Sequence, residues 1–550
     1  MNVLQMGIVI GMFIALSVIC GRYIYKVIFF KESKLDKVFK YIEEPIYRIL
    51  KIDINEKSTW KKYGCLILVS NIVMMVLCYL ILRGQNYLMG NPNGVGALPR
   101  DLSINTVVSF MTNTNLQDYA GETALSNLSQ MLVITFLMFT SAATGFSVAG
   151  AFMRAIARDE RGIGNFFVDM TRVIVRILIP FSVVVSLLLI TQGVPQTLKG
   201  AEVINTLENK KQVIALGPVA SLEAIKHIGT NGGGFFSGNS AHPFENPTPL
   251  SNVIEMLSMM LIPGSFVYAL GLGLKNKKQG WTLFIALLVL FIGGLAVCYI
   301  SESSYGLVGN MEGKELRFGI TGSSLFTAVT TAFTTGSVNN MHDSLTPLGG
   351  MVAMFNMMLN VVFGGKGVGF MGTIMYAIIT VFICGLMVGR TPEFLGKKIE
   401  AKEIKLLSLA LLIHPILILI PSALALNIPQ GAESISNGSY HGISQVVYQF
   451  ASSAANNGSG FEGLVDNTLF WNLSTSVVMF LGRYLSMIIL LAVAASMAKK
   501  KTLRETDGTF RTDNGTFGVI FIGIILIVGA LTFLPVLALG PIAEHLSLGL

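Results

Sequence analysis

Charge is what this sequence has least of. Only 13% of its 550 residues are Asp, Glu, Lys or Arg, against 52% hydrophobic, and the mean hydropathy is +0.65. That balance excludes an ordinary soluble domain. Cysteine is scarce too. The five present (Cys20, Cys65, Cys78, Cys298, Cys384) all fall in apolar runs without a CxxC pair, which excludes a disulfide framework and a zinc-finger pattern. The six histidines are scattered and form no HExxH. Nucleotide chemistry is missing: there is no Asp-Lys-Thr-Gly phosphorylation motif, no GxxxxGK[ST] loop, and no hydrophilic segment long enough for a nucleotide domain. One GxGxxG match, Gly367 to Gly372, lies inside an apolar run and follows no soluble strand, so it is no dinucleotide fingerprint. No Lys or Arg precedes the first apolar run, while Arg22 and Lys26 follow it, the reverse of a secretory signal. That run reads as an uncleaved span with its N-terminus outside.

What the chain has is long apolar runs. Ten of them reach the roughly 20 residues needed to cross a bilayer: 3–22, 63–83, 125–156, 171–192, 249–274, 280–300, 351–389, 407–427, 469–497 and 518–540. Continuous runs of this kind predict an all-α polytopic membrane protein and exclude a barrel. The run at 351–389 is too long for one straight span, and its middle reads Gly364-Gly365-Lys366-Gly367-Val368-Gly369, which predicts a broken helix. The formal charge of +8 does not point to nucleic acid, because 29 of the 39 basic residues fall on one side of the predicted spans. Eleven of these lie between the first two spans, from Arg22 to Lys62. The positive-inside rule makes that side cytoplasmic and places both termini outside, with anionic lipid as the basic groups' neighbour.

Four short polar clusters recur on the opposite side: Thr112-Asn113-Thr114, Thr230-Asn231-Gly232, Thr334-Thr335-Gly336 and Asn456-Asn457-Gly458, spaced by 118, 104 and 122 residues. Each follows a half-apolar stretch too short to span, at Ile104 to Met111, Leu222 to Ile228, Leu325 to Phe333 and Val446 to Ala455. These read as re-entrant pore helices inside four span–loop–span hairpins. The single membrane domain, 1–550, then divides into repeats at 63–156, 171–274, 280–389 and 407–497, with a first span and basic loop in 1–62 and an extra span at 518–540. A pore helix that stops mid-membrane aims its partially negative carbonyl end at the axis. Four loops of carbonyls and side-chain oxygens around one axis can replace the hydration shell of an alkali cation. Aligned by cluster, the third residue is Thr114, Gly232, Gly336 and Gly458, so Thr114 is expected to break a pattern of glycines that turn their carbonyls inward with φ > 0. Asn115 joins the candidate ligands of the first loop.

Carboxylates follow each cluster: Asp118 and Glu122, Glu245, Asp343, then Glu462 and Asp466. As a set they are expected to ring an outer vestibule and concentrate cations. Lys366, with Gly364, Gly365 and Gly367, is read as a cationic gating loop below the filter, since an ionisable group at bilayer depth is functional by default. Arg483, inside the ninth span, is the second buried cation and is expected to shape the inner cavity.

The strings Thr112 to Gln117 (TNTNLQ), Thr230 to Phe236 (TNGGGFF), Asn339 to Ser344 (NNMHDS), Gly389 to Lys398 (GRTPEFLGKK) and Asn456-Asn457-Gly458 resemble the KdpA family, the potassium-binding component of the bacterial Kdp potassium-transporting ATPase, over essentially the whole chain. That family is similar to the wider superfamily containing the Trk and Ktr potassium channels. The resemblance implies a multi-pass inner-membrane protein that binds extracellular potassium in a four-loop filter. It also implies that the ion passes sideways, through an intramembrane tunnel, to the P-type ATPase component KdpB. KdpC and KdpF would complete the complex. ATP and Mg²⁺ would bind the partner, and potassium alone would bind this chain. Thr334-Thr335-Gly336 stands where one relative of that family has a Ser-Cys-Gly filter, and threonine still supplies a hydroxyl and a carbonyl. A self-sufficient channel or symporter of the Trk/Ktr type would carry the same filters and is the alternative. A secondary transporter of an organic solute is more distant, because it calls for inverted repeats.

Overall fold

In a computed structural model, residues 2–33, 35–157, 162–304, 310–365, 367–387, 389, 391–502 and 510–549 are described. Lys366 of the expected gating loop lies outside the described residues. Among them, ten helices are long and apolar enough to cross a membrane: Val3–Ile28, Trp60–Tyr87, Asn127–Ala157, Phe166–Thr191, Pro249–Gly273, Lys277–Ser303, Val368–Met387, Ala401–Asn427, Leu469–Ala498 and Gly515–Ser547. Their burial sorts them by role. Within each hairpin the second helix is the more enclosed, with 72%, 78%, 56% and 67% of its apolar window buried, whereas the first helix has 28%, 44%, 39% and 28%. Four enclosed helices around a centre and four lipid-facing helices outside them are the layering of a covalent pseudo-tetramer.

The apolar run at 351–389 is broken where the glycines sit. Helix Pro347–Leu359 ends at Asn360 in the left-handed region (φ 46°), and a second helix resumes at Val368. Phe363, Gly364 and Gly367 between them also have positive φ (58°, 64° and 91°). Non-helical backbone at this depth is tolerated only when protein encloses it. Here Gly364 N donates to Ala332 O at 3.0 Å, and a Cβ on Gly367 would lie 2.0 Å from Gly145 O.

The first span packs along the enclosed helix of the second hairpin. Small residues let the two approach: a Cβ on Gly21 would meet the Tyr268 ring at 2.8 Å, and one on Gly264 would meet Phe13 at 2.5 Å. On the basic side, the amphipathic helix Asp36–Ile49 is pinned by Arg176, whose guanidinium takes Glu43 bidentately (Nε–Oε1 2.5 Å, Nη2–Oε2 2.7 Å) and also bonds Asp36. The GRTPEFLGKK string forms a two-residue hairpin, Glu393–Phe394 with Lys397–Lys398, turning through Leu395 and Gly396 at positive φ. Lys397 Nζ donates from it to Ile156 O at 3.2 Å.

Candidate functional site

The pore helices are Arg100–Met111, Val219–Ile228, Gly319–Ala332 and Ser439–Ala455. Each unwinds through the same two hydrogen bonds. The first residue in the left-handed region returns its amide to the carbonyl three back: Asn113 to Phe110, Thr230 to His227, Thr334 to Thr331, Asn456 to Ser453. The next returns its amide five back: Thr114 to Ser109, Asn231 to Lys226, Thr335 to Thr330, Asn457 to Ser452, at 3.0, 2.7, 2.8 and 2.9 Å. This is a helix C-terminus closed on its own last carbonyls.

This bonding corrects the register of the first loop. The residue equivalent to Gly232, Gly336 and Gly458 is Asn115, not Thr114. Asn115 has φ 61°, beside φ 89° for Gly336 and 104° for Gly458. Asparagine is the non-glycine residue that best tolerates this region, so the loop accommodates it without glycine. Thr112 is the helix cap, one residue before the loop proper. Gly232 is not among the residues of positive φ. Its glycine is required by space: a Cβ there would lie 2.9 Å from Asn457 O and 3.0 Å from Gly336 Cα.

The four loops meet. Asn113 Nδ2 donates to Thr230 O (2.7 Å), and Asn231 Nδ2 donates to Asn113 Oδ1 (3.0 Å) and Asn115 Oδ1 (3.3 Å), joining the first loop to the second. Gly232 abuts Gly336, joining the second to the third. Asn457 Nδ2 reaches Thr330 O (3.0 Å), joining the fourth to the third, and Asn456 Nδ2 reaches Thr114 Oγ1 (2.9 Å), closing the ring on the first. A Cβ on Gly336 would sit 2.0 Å from Asn457 O, and one on Gly458 would sit 2.0 Å from Thr114 O. All of these residues except the half-buried Gly458 are buried, and two side-chain oxygens among them, Asn231 Oδ1 and Thr335 Oγ1, have no hydrogen-bond partner among the described residues. Buried oxygens without donors are suited to a cation.

Most of the carboxylates that follow the clusters are tied within the protein. Glu245 is a correction: it is fully buried and ion-paired with Lys226 Nζ at 2.8 Å. Glu122 and Glu462 accept the backbone amides of Ser237 (2.9 Å) and Asp343 (3.0 Å), stapling one outer loop to the next. Asp343 is held by His441 Nε2 (3.0 Å) and Gln445 (2.9 Å). Burial would raise its pKa, but those two bonds outweigh burial and lower it. Asp118 keeps both oxygens buried without a donor, and burial together with nearby Asp466 raises its pKa. Asp466 is itself raised to about 6 by burial.

Sequence reasoning missed the supports behind the loops. Ser141 Oγ donates to Asn113 Oδ1 at 3.0 Å, and Arg483 Nη2 donates to Ser141 O at 3.3 Å, which seats that arginine behind the first loop. Thr334 Oγ1 donates to Asn360 Oδ1 at 3.0 Å, tying the third loop to the break in the seventh span. Behind the second loop lies a fully buried group of Glu223, Lys226, His227, Glu245 and Glu255. Glu223, His227 and Glu255 each offer a ligand atom within 4.8 Å of the others, and the Lys226 ammonium, 2.7 Å from Glu223, supplies counter-charge inside that group. The signal in the sequence was Lys226, a charged residue five places before its loop's second member, where the other three pore helices carry Ser109, Thr330 and Ser452.

The profile of the family described as "Potassium-transporting ATPase A subunit" matches residues 7–546. The chain belongs to that family. Similar relatives are the "Potassium-transporting ATPase potassium-binding subunit" of Geobacillus kaustophilus, 57% identical over 99% of both chains, and that of Clostridium acetobutylicum, 57% identical over all of both. Among solved structures, the potassium transporter TrkH from Vibrio parahaemolyticus has a similar fold, with a TM-score of 0.53 at 13% identity, covering 87% of this chain and 98% of that one. This KdpA-family chain thus shares its fold with a transporter of very different sequence.

Proposed function

We propose that this KdpA-family chain binds potassium from outside the cell in the ring formed by Asn113, Thr114, Asn115, Thr230, Asn231, Gly232, Thr334, Thr335, Gly336, Asn456, Asn457 and Gly458, and passes it on without hydrolysing ATP. The observation that carries this reading is the convergence of four identically bonded loop termini, with their carbonyls and two unpartnered side-chain oxygens buried at one centre. Full-length relatives named as potassium-binding subunits support the choice of ion. The chain sits in the bacterial inner membrane with its basic loops inside and both termini outside. Asp118, Glu122, Asp343 and Glu462 line the outer approach. Gly364, Gly365 and Gly367, in the break that follows Asn360, act as the gate where Gly365 lies against Thr334 of the third loop, turning the ion sideways toward the P-type ATPase component KdpB, which binds ATP and Mg²⁺. KdpC and KdpF complete the assembly. The four hairpins are the four repeats of one membrane domain. The test is the potassium dependence of ATPase activity in the purified complex. Asn231→Ala and Asn457→Ala should each raise the potassium concentration for half-stimulation. Unmoved values in an intact complex would mean that the pumped ion does not pass these loops.

A further inference from the structure

The residue that receives the second loop member's amide is Ser109, Thr330 or Ser452 in three pore helices and Lys226 in the remaining one. In the three, the side chain is a hydroxyl that serves the loop: Ser109 Oγ donates to Leu116 O (2.8 Å), Thr330 Oγ1 accepts from Gly336 N (3.0 Å) and Ser452 Oγ accepts from Gly458 N (2.9 Å). The second helix puts an ammonium at that position, completely buried. A buried charge persists only when paired and fully hydrogen-bonded. Lys226 Nζ donates to Glu245 Oε2 at 2.8 Å and to Asn239 Oδ1 at 2.8 Å, and is ion-paired with Glu223 Oε2 at 2.7 Å.

The bond to Asn239 has a consequence for the filter. An ammonium cannot accept, so Asn239 must turn its oxygen toward Lys226 and its NH₂ away. That NH₂ donates to Gly232 O at 2.6 Å. The same Asn239 oxygen receives Ser337 Oγ (3.2 Å) and Val338 N (3.4 Å), immediately after Gly336. Among the described residues, no hydrogen bond of this kind reaches the carbonyl of Asn115, Gly336 or Gly458. A carbonyl already accepting from an amide polarised by an ammonium offers a weaker field to a cation.

We propose that Lys226 is a positioning residue for ion selectivity, acting through Asn239 to clamp the Gly232 carbonyl and make the second loop a weaker, more rigid cation ligand than the other three. The inference rests on the filter reading above. Releasing the clamp strengthens the ring's field, and a stronger field favours smaller ions, so sodium should gain on potassium and rubidium should lose. The experiment measures ATPase stimulation of the purified complex by K⁺, Na⁺ and Rb⁺ in turn. Asn239→Ala should shift the K⁺/Na⁺ ratio of half-stimulating concentrations by about tenfold, the scale of one charge-assisted hydrogen bond. The charge-balanced pair Lys226→Met with Glu245→Gln should shift it in the same direction, and adding Asn239→Ala to that pair should change nothing more. Asn457→Ala serves as the filter control. If Asn457→Ala moves the half-stimulating concentration while Asn239→Ala and the charge-balanced pair leave the ion ratios within about twofold of the parent, well under one hydrogen bond, the clamp is refuted. Additive effects in the triple variant also refute it. If Asn457→Ala moves nothing, the filter reading itself has failed and the clamp falls with it. Should the Lys226 pair fail to assemble, Asn239→Ala alone decides between these outcomes.

Discussion

The first and third loops share a backbone and differ in almost everything attached to it. Both close through the same i−3 and i−5 bonds, and both place two residues at positive φ. The first loop is tied sideways: Asn113 to Thr230 O, Thr114 Oγ1 to Asn456, Asn115 Oδ1 to Asn231. The third is tied downward, with Thr334 on Asn360 and Gly364 on Ala332, while Thr335 Oγ1 has no partner among the described residues. A single chain folded as four unequal quarters can therefore make one loop a fixed wall and another a sensor of the break beneath it. Four identical chains could not.

The largest expected effect tests the shared backbone. Gly336→Ala adds a Cβ at φ 89° and places it 2.0 Å from Asn457 O, so both strain and clash act together. Each costs about 1–3 kcal/mol, and the half-stimulating potassium concentration of the complex should rise by about 100-fold or more. Asn115→Ala, at the equivalent place in the first loop, replaces a side chain that already carries a Cβ. It should raise the same concentration by no more than about tenfold, for one lost hydrogen bond. Equal losses at the two sites would show that Asn115 and Gly336 are not equivalent positions.

A smaller effect tests the downward tie. Thr334→Val removes the hydroxyl that donates to Asn360 Oδ1 but keeps the shape. Its cost in binding should be about 1 kcal/mol, or several-fold in half-stimulation. Its distinctive result should be passive potassium flux through proteoliposomes without ATP, because the break would no longer be held by the loop above it. Asn113→Ala should weaken binding comparably yet pass no such leak. A leak from both variants, or from neither, removes the functional distinction between the two loops.

How much of this was legible in the sequence follows from which contacts are local. The C-terminal ends of the pore helices were readable at Met111, Ile228 and Ala455, because a polar or glycine-rich stretch follows each; the third ends at Ala332, one residue before the expected Phe333. Their starts were not readable. The helices begin at Arg100, Val219, Gly319 and Ser439, three to seven residues before the apolar patterning does, since their first turns carry polar or small residues that give no apolar period. The break between Asn360 and the helix that resumes at Val368 was readable from its glycines, Gly364, Gly365 and Gly367. The one-residue slip in the first loop came from aligning glycine with its neighbour in a loop that has none. Asn113 is equivalent to Thr230, Thr334 and Asn456, and Asn115 to a glycine in the other three loops, and the i−5 bonds of the residue between them distinguish the two. Glu245 was misplaced for a tertiary reason: its partner Lys226 lies 19 residues away, on the pore helix.

The smallest effect concerns the outer edge, where the fourth pore helix is held to the third hairpin's outer loop. His441 Nε2 is 3.0 Å from Asp343 Oδ1, and its Nδ1 is 2.9 Å from Glu544 Oε1, so the imidazolium bridges two carboxylates from distant parts of the chain. Burial alone would lower its pKa, but the bonds to Asp343 and then Glu544 outweigh that and raise it to about 9. A cationic group whose folded pKa lies above its unfolded value, roughly 6.5, stabilises fully below that value and loses its contribution as pH rises through about 9. With the side chain partly exposed, the contribution is about 1–2 kcal/mol. Thermal melting of the purified complex from about pH 6 to 10 should then show His441→Gln less stable than the parent at the acid end, with the gap closing between about pH 7 and 10. Lysines and cysteines that titrate in the same range cancel in the difference between the two curves. A gap that stayed constant with pH would mean that His441 acts there by packing against Phe461, whose ring stacks on it at 5.6 Å, and not by its charge. In that case the first loop, tied by neutral amides, and the outer edge would be alike in owing nothing to a titrating charge.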